Sequence, residues 1–239
     1  MEFGSLCEIA TRRPELIKKY YAHLADTSED ALAAFNTLFA QDGVVMYVPK
    51  GVVVERPIQL VNILRADVAT LANRRLLIIL EEGAQAKLLI CDHAMDEVNF
   101  LSTQVAEVFV GENASLDLYE LEETHYSTVR FSNLYVHQSA GSRVLLNGVT
   151  LHNGTTRNRV HVVLDGPGAE VDLCGMAIAD RDEQVDNHTF MIIVHRLVPA
   201  MSYSSMYLMN VPLEHLPVRY WFVRAQNVLL RFRPTGICA

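Results

Sequence analysis

The chain has 239 residues, with 20 Lys and Arg against 28 Asp and Glu, for a formal net charge of −8. Half of it is hydrophobic and a fifth is charged, which excludes whole-chain disorder and allows one large or two modest domains. No apolar run reaches the roughly 20 residues of a membrane helix, no secretory signal opens the chain, and the acidic balance argues against broad nucleic-acid binding.

Residues 1–43 read as a short helical region. Ser5 with Glu8 three positions later has the form of a capping box. Pro14 suits the first turn of a second helix, on which Leu16, Ile17, Tyr20 and Leu24 share a face. Thr27 or Ser28 is placed to cap a third, which carries Leu32, Phe35, Leu38 and Phe39 and stops near Gly43. Helices this short need something to dock on.

Residues 44–190 read as β. Runs of Val, Ile and Leu are broken by turns that resemble one another: Leu80–Leu88, Val110–Leu118, Val136–Val144 and Leu164–Leu173 align. Their small pairs begin at Gly83, Asn113, Ala140 and Gly168, at steps of 30, 27 and 28 residues. A repeated strand–corner–strand unit cannot bury its own apolar face, so the period predicts stacked coils. Leu116 and Leu118 alternate with Asp117, and Val171 and Leu173 with Asp172, which sets one face inward and one in water. The fold expected is mainly β, a β-helix or related solenoid. A jelly roll or cupin is the alternative.

No catalytic motif is complete, and no catalytic residue is assigned. Asp165-Gly-Pro-Gly168 reads as a turn, because no helix follows to direct N–H groups at an anion. His93, His125, His137, His152, His161 and His188 all fall in the β region; Cys91 and His93, two apart on a strand, share a face that permits chelation. Surface or hydrogen-bonded core roles account for them as well, and Cys174 suits a small buried residue. Glu81 and Glu82, and Glu120, Glu122 and Glu123, are either the acidic pairs of a glycoside-cleaving groove or solvated strand edges. Metal- and cofactor-binding residues stay unassigned. Cys7, Cys91, Cys174 and Cys238 lie far apart with no CxxC, as in a reduced, cytoplasmic chain.

Near residue 190 the composition breaks. Residues 1–190 hold 15 bases and 27 acids, whereas residues 191–239 hold five Arg, no Lys and one acid, Glu214, with the lone Trp221.

The stretch Asp42-Gly-Val-Val-Met-Tyr-Val-Pro-Lys-Gly51 resembles the opening of the SufB/SufD family, β-helical scaffolds of the SUF iron–sulfur cluster assembly machinery. Arg75–Leu88 and Val185-Asp-Asn-His-Thr-Phe190 match the same family, and Ala34–Gly43 looks closest to SufD. The resemblance implies a right-handed parallel β-helix in a non-enzymatic scaffold subunit. It implies partnership with SufB and with the ATPase SufC, in a complex that handles an iron–sulfur cluster, iron or flavin. The family's later K-C-S-H-G-type motif is absent here, so its Cys and His roles pass to no residue of this chain. Residues 200–226, read one base upstream with compatible codons, spell a family-like continuation. The expectation is therefore a truncated β-helix core over 44–190 and a frameshifted, poorly ordered tail over 191–239. The competing functions are a β-helical carbohydrate-active lyase or hydrolase and a cupin-like metal-binding protein.

Overall fold

The computed structural model describes residues 1–25, 27–28, 30–179, 183–194 and the backbone of 208–209. Three short helices, α1 (Leu6–Arg12), α2 (Pro14–Tyr20) and α3 (Ala31–Phe39), follow a first strand, β1 (Glu2–Ser5). The solenoid strands are β2 (Val44–Val48), β3 (Ile58–Leu64), β4 (Thr70–Leu80), β5 (Gln85–Ala94), β6 (Phe100–Val110) and β7 (Ser115–Glu123). They continue with β8 (Val129–Ser139), β9 (Arg143–His152), β10 (Thr155–Asp165), β11 (Glu170–Ile178), β12 (Gln184–Ile193) and β13 (Leu208–Met209).

From β2 onward, successive strands alternate between two sheets. One runs β1-β2-β4-β6-β8-β10-β12 and the other β13-β11-β9-β7-β5-β3. Every pairing is parallel except β1 with β2. That is a right-handed parallel β-helix, and it removes the jelly roll and the cupin barrel, whose sheets are antiparallel.

The apolar half of the lumen explains the repeat. Ile78, Leu80, Leu88, Val108, Leu116 and Leu118 are all at most 1% exposed and interdigitate between the sheets. Each such side chain stabilises the fold by roughly 1.5–3 kcal/mol, more than any exposed ion pair on the coils. One corner is closed by a column of left-handed residues, Gly51, Gly83, Asn113, Gly141 and Gly168, with φ of 55–73°. The N–H of Gly83 donates to Glu112 O at 2.8 Å, that of Asn113 to Ala140 O at 2.9 Å, and that of Gly141 to Pro167 O at 3.0 Å.

The third corner corrects the sequence alignment. Gly141, not Ala140, is stacked there, and Val144 lies opposite Leu116 rather than Leu118. A slip of two residues preserves which face each side chain takes, so alternation alone could not detect it.

The N-terminal region differs in four respects, the first being that α2 ends at Tyr20, short of Leu24. Glu2–Ser5 is a strand, antiparallel to β2, rather than part of a helix. Ser5 Oγ does accept from Glu8 N–H, and Pro14 does open α2. The cap of α3 is Asp30, which accepts from Leu32 and Ala33 N–H, in place of Thr27 or Ser28. This helix turns Ala33 and Asn36 to the sheet and leaves Leu38 and Phe39 exposed, because Asn36 bonds Asn73, Thr103 and the Arg74 carbonyl. Docking is completed by Glu107. It is fully buried on β6, pairs with Arg75 Nη2 at 2.6 Å, and accepts from Ala22, Leu24 and Ala25 N–H. Most of the tail expected over 191–239 lies outside the described residues.

Candidate functional site

The other half of the lumen is polar. On sheet one, Arg74, Gln104, Ser132, Asn158 and Asn187 form one inward column. On sheet two, Asn62, Asp92, Glu122, Thr150 and Ala177 form another, beside the column Ile90, Glu120, Gly148 and Gly175. All are inward for the same reason: each lies an even number of residues along its strand from an inward-facing apolar residue, such as Leu76, Ile90, Val108 or Leu118.

Ion pairs hold this half together. Arg74 and Arg130 both engage Asp92, at 2.8 Å (Nη2–Oδ2) and 3.3 Å (Nε–Oδ2). Arg130 also pairs with Glu122 Oε1 and donates to Asn158 Oδ1 at 2.7 Å. Thr150 and Asn153 donate to Glu122 Oε2 at 3.2 and 3.0 Å, and Gln104 donates to Glu120 at 2.7 Å. Arg130, Asp92 and Glu122 are at most 3% exposed.

Burial acts on the two carboxylates alike, and the cations separate them. Desolvation alone would raise Asp92, but Arg74 and Arg130 outweigh it and hold the carboxyl at about 2. Desolvation raises Glu122 to about 7; Arg130 opposes the rise, while the charges of Glu120 and Asp92 add to it. Asp92 is thus a fixed anion and Glu122 a group that exchanges a proton near neutrality.

Next to this network, Gly148 and Gly175 leave a cavity of about 100 Å³, lined mostly by apolar side chains such as Leu118, Leu134, Leu146 and Leu173, with Glu120, Asn158 and Asn187 among its polar groups. A Cβ at Gly148 would meet nothing within 4 Å. The volume corresponds to that of about three waters, and it is too small for a flavin, whose pockets run to several hundred Å³.

The residues singled out by sequence are distributed differently. Glu120 and Glu122 face the lumen, which overturns the solvated-edge reading for that pair; Glu123 stays exposed and pairs with His93. The edge reading holds for Glu82, which meets Lys50 at 2.6 Å on an exposed corner. Cys91 is buried and accepts from Gln59 Nε2 at 3.4 Å, while His93 on the same face pairs with Glu123. Cys174 is half-buried, and burial raises its thiol. It stands three strands along the sheet from Cys91, roughly 14 Å at the usual strand spacing.

The histidines do not converge. His137 contacts Asp165, His152 contacts Glu183, His188 contacts Asp186, and His161 is stacked between Tyr135 and Phe190. His125 bonds Ser127. Among the described residues no three His, Cys, Asp or Glu side chains group to hold a metal ion. The lumen residues Arg74, Asp92, Gln104 and Arg130 were missed by motif reading, although their phase with the apolar positions was present in the sequence.

Comparison with known proteins follows the same division of the chain. Residues 62–197 match the SufBD core domain of SUF system FeS cluster assembly, and residues 1–60 match the SufBD protein N-terminal region. An iron–sulfur cluster assembly SufBD family protein of Synechocystis is 31% identical over 150 residues, covering 62% of this chain and 29% of that protein. Chloroplastic proteins ABCI7 and ABCI8 of Arabidopsis thaliana are 28% and 27% identical, covering 70% and 80% of this chain and 37% and 36% of their own lengths. The chain therefore spans about a third of the length of these relatives. No helix among the described residues is long and apolar enough to cross a membrane. A parallel β-helix whose N-terminal cover and coils both match in this way belongs to the SufBD family of iron–sulfur cluster assembly proteins.

Proposed function

We propose that the chain is a scaffold subunit rather than a catalyst, working with a SufB-like subunit and a SufC-like ATPase while the iron–sulfur cluster passes through the complex as cargo. The observation that supports this reading most is the register-locked coil itself. Its ladders from β4 to β12 hold two faces in register, and Arg74, Asp92, Glu122 and Arg130 are engaged with one another inside the lumen. A rigid body with a bonded interior suits a part that positions partners. The free Cys7, Cys91 and Cys174 fit a reducing compartment, and we assign the chain to the cytoplasm.

The family match ends at residue 197, next to the composition break, which supports reading the stretch beyond about 190 as frameshifted and the subunit as impaired. A pull-down with SufB-type and SufC-type partners tests both ideas at once. An in-frame version should retain both partners and this chain should lose one or both; failure of the in-frame version to bind either removes the scaffold reading. Sequencing the underlying DNA and finding no family-like overlapping frame removes the frameshift.

A further inference from the structure

Glu122 connects the lumen to the corner between β9 and β10. Its Oε1 pairs with Arg130, and its Oε2 accepts from Thr150 Oγ1 at 3.2 Å and from Asn153 Nδ2 at 3.0 Å. Asn153 is 1% exposed, and both its amide hydrogens are used, the second on Thr156 Oγ1 at 3.0 Å. Its Oδ1 accepts from Thr124 Oγ1. The corner is tied to the rungs on both sides. Thr124 N–H donates to His152 O at 2.7 Å, Thr155 N–H to Thr128 O at 3.0 Å and Gln184 N–H to Gly154 O at 2.8 Å. Gly154 lies so close to the preceding coil that an added Cβ would collide with Tyr126 O.

The charges around Glu122 make it the place for a proton. Among the described residues the network holds three carboxylates, Asp92, Glu120 and Glu122, against two guanidiniums, Arg74 and Arg130. Asp92 engages both cations and Glu120 is only half-buried. The surplus negative charge therefore falls on Glu122, which is 3% exposed and has a share of Arg130 alone. Thr150 and Asn158 beside it are neutral; His152 at the corner is exposed and pairs with Glu183, and His125 of the neighbouring loop bonds Ser127.

A proton changes what Oε2 can do. Oε1 faces a guanidinium, which only donates, so the hydrogen belongs on Oε2 and needs an acceptor there. Turning the Asn153 amide would also reverse the hydroxyls of Thr124 and Thr156, whereas the Thr150 hydroxyl reverses alone. We propose that Glu122, Thr150 and Asn153 form a proton-operated latch between the lumen and the Asn153–Gly154 corner, tight when the carboxylate is ionised and slack when it is protonated. In the ionised state Thr150 and Asn153 both donate to a charged oxygen. In the protonated state Thr150 accepts, and Asn153 is left on a neutral oxygen with about half the former bond strength.

An NMR titration of the full chain, following the Glu122 carboxyl carbon and the Asn153 side-chain amide, tests this. The expected result is a shared midpoint for the two signals, near the value of about 7 at which Glu122 titrates. In Glu122→Gln, which is neutral at every pH, the Asn153 signals should not move. Thr150→Val leaves the Asn153 carbonyl to take the hydrogen, so the amide itself must turn and its signals should move further than in wild type. A Glu122 carboxyl that does not titrate between about pH 5 and about pH 9 overturns the proposal. So do Asn153 signals that stay flat while Glu122 titrates, or that still shift in Glu122→Gln, because another group would then drive them. Equal shifts in Thr150→Val and wild type overturn it as well, by removing Thr150 from the latch.

Discussion

Arg130 is pinned between two carboxylates of opposite habit, and that arrangement has a measurable consequence. Below about pH 4.5 Glu122 is protonated in both folded and unfolded chains. Between about 4.5 and 7 only the folded chain keeps the proton, so unfolding releases it and stability falls as the pH rises through this window. The loss levels off above pH 7 at about 3 kcal/mol. Asp92 has the reverse sign, with its contribution lost as the pH falls from its ordinary 3.8 toward 2. Glu122→Gln should leave the urea midpoint near wild type at pH 5 and raise it at pH 8. Parallel midpoint-versus-pH curves for the two proteins would show that Glu122 does not hold a proton there. The same residues mark where sequence reading stopped. Glu122 is legible in the sequence as a carboxylate in a strand, and its even spacing from Leu116 and Leu118 is what turns it inward.

At the scale of elements, the N-terminal helices are a cover rather than a domain with its own core. They hold to the outer face of the first sheet through Ile9 and Leu16 packed on Val45, Leu77 and Ile79, and through the buried Glu107. Replacing Glu107 by Gln leaves Arg75 buried without its ion partner, at a cost of about 3–5 kcal/mol. Amide exchange should then accelerate at Ala22, Leu24 and Ala25 far more than on β5 or β7. Equal acceleration everywhere would mean that Glu107 supports the whole coil instead of fastening the cover. Sequence periodicity located the cover but misjudged α3. Leu32, Phe35, Leu38 and Phe39 are the greasier residues, yet the sheet beneath offers Asn73 and Thr103, and Asn36 answers them. A hydrogen-bonded interface of this kind leaves no apolar stripe to read. The strands, by contrast, were legible because burying one face of each coil imposes a period of two and a repeating corner.

Across the whole molecule, each coil touches only its neighbours, so stability is a sum of local interfaces. Among the described residues, strands β6 and β8 have partners on both sides, whereas β3 and β12 each have one. In dilute solution their amides should exchange more slowly than those of β3 and β12 by about tenfold or more, equivalent to about 1.4 kcal/mol of opening energy. Uniform protection along the coil would point to a single cooperative unit. The two flanks of the coil also obey different length rules. On the flank of left-handed residues the chain advances five residues from Leu80 to Gln85, from Val110 to Ser115 and from Gln138 to Arg143. On the opposite flank it takes eight from His93 to Leu101, six from Glu123 to Val129 and three from His152 to Thr155. The last corner described on the left-handed flank takes six, from Leu164 to Glu170, so length varies by one residue on this flank and by five on the other. A reporter peptide spliced between Asp96 and Asn99 should be carried as a harmless ornament, while the same graft between Gly111 and Ala114 would wedge the rungs apart.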